Sequence, residues 1–209
     1  MKKVFVCNDN LTSIYSAVYD AWKDCRNDEV GIVFRENMEH QLFCEYYEVN
    51  AEDKKAEAVV RMIIKNLGHN SYYHMYHALL SKDNAKAEAV FRVLQEARSI
   101  SNSKKIMEHL SNPYVAKVFE LSRAVQNETH MYIEVIRFRE LENGILFSEI
   151  TPKNHILASL GDHFANRFPL ENWMIYDKTY KEFLVHKMRH DCVLVTGEEI
   201  NWDAAVRIT

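Results

Sequence analysis

Glycine and proline are scarce in this chain, five and three among 209 residues. So few breakers leave little room for long structureless loops or linkers. The four cysteines, Cys7, Cys25, Cys44 and Cys192, are scattered with no C-x-x-C pair. Their spacing gives no zinc or iron–sulfur ligand set, and four free thiols in a reducing compartment are expected. No apolar run approaches the ~20 residues of a membrane span. The start, MKKVFVCNDN, breaks its short apolar run at Asn8, too early for a secretory signal. No membrane association is therefore expected, and the cytoplasm is the expected compartment. There is no excess of positive charge either. The net charge is −4 and the pI about 6.2, so any nucleic-acid role needs a local basic face. Neither type of glycine-rich phosphate loop occurs, no serine has a G-x-S-x-G setting, and no cofactor is expected.

What is present suits a globular fold. Apolar residues make up 47% and charged residues 27% of the chain. Lys3 to Cys7 reads as a strand. Asn8 to Asn10 turn and cap a helix from Leu11 to Arg26, whose apolar face includes Ile14, Val18 and Trp22. Val30 to Arg35 reads as a short strand, and Gln41 to Val49 as ambiguous extended chain. A helical middle follows. Val59, Val60, Ile63 and Leu67 stripe one helix that Gly68 is placed to stop. Tyr72 to Leu80 and Ala87 to Ala97 stripe two more. Asn112-Pro113 is a helix-start signal, and Val115, Val118 and Val125 carry that helix toward Glu128.

The second half changes character. Met131 to Glu140 is β-branched and aromatic, as in a half-buried strand. Asn143-Gly144 supplies the residues of a type I′ hairpin turn, and Ile145 to Ile150 returns. Pro152 ends that strand. Asn154 can cap a helix starting near His155, in which Leu157, Leu160, Phe164 and Phe168 recur at helical spacing. Strands follow at Trp173–Tyr176, Glu182–His186 and Cys192–Thr196. Segregated helices and strands predict an α+β fold: an N-terminal strand and helix, a helical middle, then an antiparallel hairpin, helix and strands. A single domain over 1–209 is expected, mainly helical over 1–127 and β-rich over 128–209.

Several residues carry candidate chemistry. Glu128 and His130 stand at the predicted helix-to-strand junction, where Glu128 could orient the imidazole as a base; alternatively both satisfy backbone groups at a helix end. Arg137 and Arg139 share a strand face. They present either two guanidinium forks to phosphates or a cross-strand salt bridge. A two-residue loop places Arg139 opposite Ser148 and Glu149 beside Phe138; a loop one residue longer moves Glu149 onto the arginine face. His163 and Arg167, four apart, share a helix face and are either a polar pair facing a cleft or a structural pair. Asp177 either completes a cluster with His163 or Arg167 or, the favoured reading, is a turn residue before Lys178. His69, His74 and His77, and the run His186-x3-His190-Asp191, are too incomplete to define a metal site, and none is expected.

Glu128-x-His130, Arg137-Phe138-Arg139, Gly144, Glu149, Pro152, the run His163-Phe164-Ala165-x-Arg167-Phe168 and Trp173-x-Ile175-x-Asp177 together resemble a bacterial family of DNA metabolism or DNA repair proteins. The resemblance extends over most of the chain. It implies a DNA-binding or accessory role beside a radical-SAM protein that modifies or repairs DNA, with Arg137, Arg139, His163 and Arg167 contacting substrate or phosphate. Relatives joined to uracil-DNA glycosylase-like domains suggest an alternative: a hydrolase or glycosylase-like enzyme acting on a damaged nucleotide through Glu128, His130 and Glu149. A protein–protein adaptor is the third reading. The resemblance also implies an aromatic and basic tail, whereas this chain ends at Thr209 after Trp202 and Arg207.

Overall fold

The computed structural model describes residues 1–25 and 29–197; Arg26, Trp202 and Arg207 lie outside them. The chain forms two compact units, Met1–Arg123 and Ala124–Thr209.

The first unit is built on a parallel sheet of β1 (Lys2–Cys7), β2 (Val30–Phe34) and β3 (Cys44–Glu48), in the order β2-β1-β3. Central β1 pairs in parallel with both neighbours. Its Val4 to Cys7 are all buried, as expected of a strand flanked on both edges. Helix α1 (Leu11–Asp24) starts where the sequence indicates, with Asn10 Oδ1 accepting from Ser13 N at 2.8 Å. It buries Ile14, Ala17, Val18 and Ala21. Helix α2 (Asp53–Leu79) adds Val59, Ile63, Leu67 and Met75 to the same core. Gly68 interrupts α2 rather than ending it. Its φ of 83° is open to glycine at little cost, and the helix resumes directly beyond.

Helix α3 (Lys86–Glu96) seals one sheet edge. Glu88 Oε2 accepts from Ile32 N and Arg92 Nη2 donates to Val30 O, both at 2.7 Å. An ion pair at 2.7 Å locks Glu88 to Arg92. Side chains thus take the backbone groups that an edge strand would otherwise leave open to another chain. At the start of α3 the Lys86 side chain is fully buried. Its ammonium reaches Asp9 Oδ1 at 2.6 Å and Ser81 O at 2.5 Å. Cys7 is buried close by, and burial foremost pushes its thiol up to about 12, so it is an inert core group.

Helix α4 (Pro113–Val135) begins at the predicted signal, Asn112 Oδ1 accepting from Tyr114 N at 2.9 Å. The unit boundary falls within it. It also runs through residues 131–135, for which the composition predicts strand. The buried stripe Val115, Val118, Leu121, Val125, Thr129 continues at helical spacing, with no glycine or proline to break it. That periodicity overrides the β-propensity of Met131 to Ile136.

The second unit holds β4 (Arg139–Glu140), β5 (Leu146–Ile150), α5 (Leu157–Arg167), β6 (Trp173–Asp177), β7 (Glu182–His186) and β8 (Val193–Thr196). Its five strands lie in chain order, antiparallel except for β5 and β6, which run parallel and are connected through α5. The α+β class therefore holds: strand and helix, helical middle, then a mostly antiparallel sheet.

The hairpin departs from the two-residue turn. Arg139 pairs with Phe147 and Glu140 with Leu146, and Leu141 N donates to Ile145 O at 2.9 Å, leaving a three-residue loop, Glu142–Gly144. Only Gly144 has positive φ, 78°, so the loop lacks the two left-handed residues that type I′ requires. The longer of the two weighed loops is the one found. Helix α5 begins at Leu157, not His155, and Asn154 does not cap it. Trp173 and Ile175 of β6 and Leu184 of β7 are buried, as are Leu157, Leu160 and Phe164 of α5. Phe147, Tyr176 and Phe183 form a separate cluster, with Tyr176 stacked on Phe183 at 4.4 Å.

Candidate functional site

In the second unit a cleft of about 700 Å³ opens among the last turn of α4, the segment 136–138, the start of β5 and one face of α5. Its polar lining is Glu134, Arg137, His163 and Arg167. Its apolar wall is chiefly Phe138, Phe164 and Phe168. The volume lies in the range of small-molecule sites.

Each element places its residues for a local reason. Where α4 ends, Arg137 Nη1 donates to Glu134 O at 2.8 Å and Ile136 O at 2.9 Å. The guanidinium thereby satisfies carbonyls at the negative end of the helix and is held at the mouth of the cleft. His163 and Arg167 occupy one face of α5, as their spacing indicates. Phe138 meets Phe164 edge-on at 5.3 Å and Phe168 edge-on at 5.6 Å, which fixes the wall. Trp173 backs it, fully buried, with its ring 6.0 Å from Phe138 and stacked on His186 at 4.9 Å. The Arg167 guanidinium lies 5.6 Å from the Phe168 ring centre, and His163 sits edge-on to Phe164 at 4.9 Å. Among the described residues, neither guanidinium is ion-paired to a carboxylate, and Glu134 is not paired to a cation.

The fold brings three of the four predicted phosphate-contacting residues, Arg137, His163 and Arg167, to one cleft. Arg139 is not in the lining. It lies on β4, its guanidinium 5.1 Å from the Phe147 ring centre. Arg137 precedes β4, so the two arginines do not share a strand face.

The predicted acid–base residues do not converge on the cleft. Glu128 and His130 both lie inside α4, not at a helix-to-strand junction. Glu128 accepts from Lys153 N at 2.7 Å, Asn154 N at 3.1 Å and Asn154 Nδ2 at 2.6 Å, and so pins the loop leading to α5. His130 is exposed and, two residues on, points nearly the opposite way round the helix. Glu149 pairs with Lys178 at 3.0 Å.

Two features went unread in the sequence. Glu134, three residues before Arg137, lines the cleft only because α4 is longer than its composition indicates. Asp177 is more than a turn residue. Its Oδ1 accepts from Thr179 N at 2.8 Å and Tyr180 N at 3.2 Å, while its buried Oδ2 has no partner among the described residues. Burial foremost pushes its carboxyl up to about 6; those N–H bonds oppose the rise, and the charges of Glu182 and Glu128 add to it. In the first unit, His74 faces Ser122 Oγ at 3.2 Å and His77 donates from Nδ1 to Tyr73 O at 2.8 Å. Among the described residues no group of three His, Cys, Asp or Glu side chains has metal-binding geometry, and no helix is long and apolar enough to cross a membrane.

Two guanidinium groups, an imidazole and a carboxylate over an aromatic wall can hold an anion next to a planar ring bearing hydrogen-bond donors. Fold and cleft together define an α+β protein with a cleft of mixed polar and aromatic lining in its strand-rich unit. The family of domains of unknown function DUF4130 matches residues 84–204, more than half of the chain and every residue of the cleft. The chain belongs to that family. No curated protein matches it.

Proposed function

We propose that this protein binds nucleic acid in DNA metabolism or repair, as an accessory to a separate enzyme, for which the family resemblance implies a radical-SAM protein. The observation that carries the reading is the convergence of Arg137, His163 and Arg167 on one cleft beside Phe138 and Phe168. Unpaired guanidinium groups favour phosphate oxygens, and aromatic walls favour bases. A net charge of −4 does not oppose this, because phosphate contact is decided by the local face. An accessory role is favoured over catalysis by this chain, since Glu128 and Glu149 are engaged elsewhere and neither they nor His130 lines the cleft.

Fluorescence anisotropy of labelled single-stranded and duplex DNA, titrated at several salt concentrations, tests the proposal. Binding should weaken with salt and weaken further in Arg137→Gln and Arg167→Gln. No binding even at low salt defeats it. The adaptor reading draws on β8, whose Val193, Leu194 and Val195 are each about half exposed. It becomes the better account if the chain binds no DNA and a Leu194→Lys variant abolishes association with the partner enzyme.

A further inference from the structure

The cleft contains one group that a plain phosphate site would exclude. Glu134 is the single carboxylate among the residues that line it. A carboxylate beside bound phosphate repels it, so an unpaired one lowers affinity unless the ligand brings donors to it. Two neighbouring donors suit a carboxylate's two oxygens. They must also lie on the same ligand as an anion, which Arg137 and Arg167 hold, and as a flat apolar surface suited to Phe138 and Phe168.

We infer that the cleft takes one unpaired guanine nucleotide, the Glu134 carboxylate accepting from the guanine N1–H and N2–H, the guanidinium groups of Arg137 and Arg167 holding its phosphate, and Phe138 and Phe168 walling the ring. This deepens the function proposed above and rests on it. Guanine alone among the four bases offers two adjacent donors on its Watson–Crick edge. Adenine and cytosine offer one amino group beside an acceptor, and thymine one N–H between two carbonyls that Glu134 would repel. That edge is free only when the base is unpaired, so duplex is excluded. A concave site of about 700 Å³ accepts a nucleotide and not the convex surface of a duplex. A bidentate hydrogen-bond pair to a base edge discriminates against the bases that cannot complete it.

The test uses the full chain and labelled oligothymidine strands carrying one central dG, dA, dC or dT. It also includes the dG strand annealed to its complement, and free GMP as competitor. The dG strand should bind about ten- to hundred-fold tighter than the dT strand, the discrimination that one bidentate pair supplies. In Glu134→Gln that ratio should collapse toward one while affinity for the dT strand holds or rises. Arg167→Gln should weaken all strands alike. GMP competing as well as the dG strand assigns the site to a free nucleotide; much weaker competition assigns it to a strand. Equal binding of all four strands, or a guanine preference that survives Glu134→Gln, overturns the inference yet leaves the phosphate-binding cleft standing. No binding by a folded chain overturns both. Glu134 is exposed and in no ion pair among the described residues, so its variant should fold.

Discussion

In the first unit the Lys86 ammonium is held by Asp9, that of Lys117 by Asp83 at 2.8 Å, and that of Lys55 by Asp20 at 2.9 Å and Glu52 at 2.8 Å. In the second, among the described residues, Arg137 donates its hydrogen bonds to backbone carbonyls, Arg139 and Arg167 lie over aromatic rings, and Glu134 is not ion-paired. The contrast separates charges paired within the fold from charges with no ion-pair partner among the described residues. Buried charges must be paired inside the protein, because desolvation is costly. Exposed guanidinium groups beside the cleft keep most of their hydration, so leaving them without an ion-pair partner costs little. Edge management differs too. Glu88 and Arg92 close the β2 edge with side chains, whereas β8 keeps three apolar side chains exposed.

Breaking the wall behind the cleft should have the largest effect. Trp173→Ala removes a fully buried ring that supports Phe138 and Phe164, and should cost about 3–5 kcal/mol in urea unfolding. In the first unit, Asp9→Ala leaves the Lys86 ammonium buried with Ser81 O as its remaining partner, and should cost about 3 kcal/mol. Lys86→Met removes that charge at similar volume and should cost far less. Equal losses in the two variants would mean that the pair matters for packing rather than for charge.

Asp177 gives a pH dependence of known sign. Its folded carboxyl titrates at about 6 against an ordinary 3.8, so the native state holds the proton more tightly. Its contribution is full below about pH 4 and is lost as pH rises to about 6. Asp177→Asn should flatten that part of the stability–pH curve and raise stability at neutral pH by roughly 1–2 kcal/mol. An unchanged curve would place the titration elsewhere. The smallest stability effect belongs to Arg167→Gln, within about 0.5 kcal/mol of the parent chain, as suits an exposed side chain without an ion-pair partner among the described residues. A larger loss would make Arg167 a structural residue and weaken the contrast between the units.

Much of this arrangement was legible in the residues, because local rules and tertiary packing agree there. The Asn10 cap, the Asn112-Pro113 helix start and the Trp173 strand are cases in point. The face shared by His163 and Arg167 followed from spacing alone. Where a weak propensity competed with packing, packing won. Met131 to Val135 carry strand-forming side chains, yet the stripe through Val125 and Thr129 keeps them in helix, and this is what brings Glu134 to the cleft. The hairpin turned on a single residue of loop length, which composition does not fix. The hold of Glu128 on Asn154 spans 26 residues of sequence and has no local signature.

The most direct test of the unpaired-charge account is the salt dependence of single-stranded DNA binding by the parent chain and by the Arg137→Gln/Arg167→Gln double variant. Each phosphate contact on single strands contributes about 0.7 to the slope of log affinity against log salt. Arg137 and Arg167 hold one phosphate, so the double variant should have a slope shallower by about 0.7 and bind more weakly at every salt concentration, with its fold intact by circular dichroism. An unchanged slope and affinity would show that these guanidinium groups meet no phosphate, and would contradict the account.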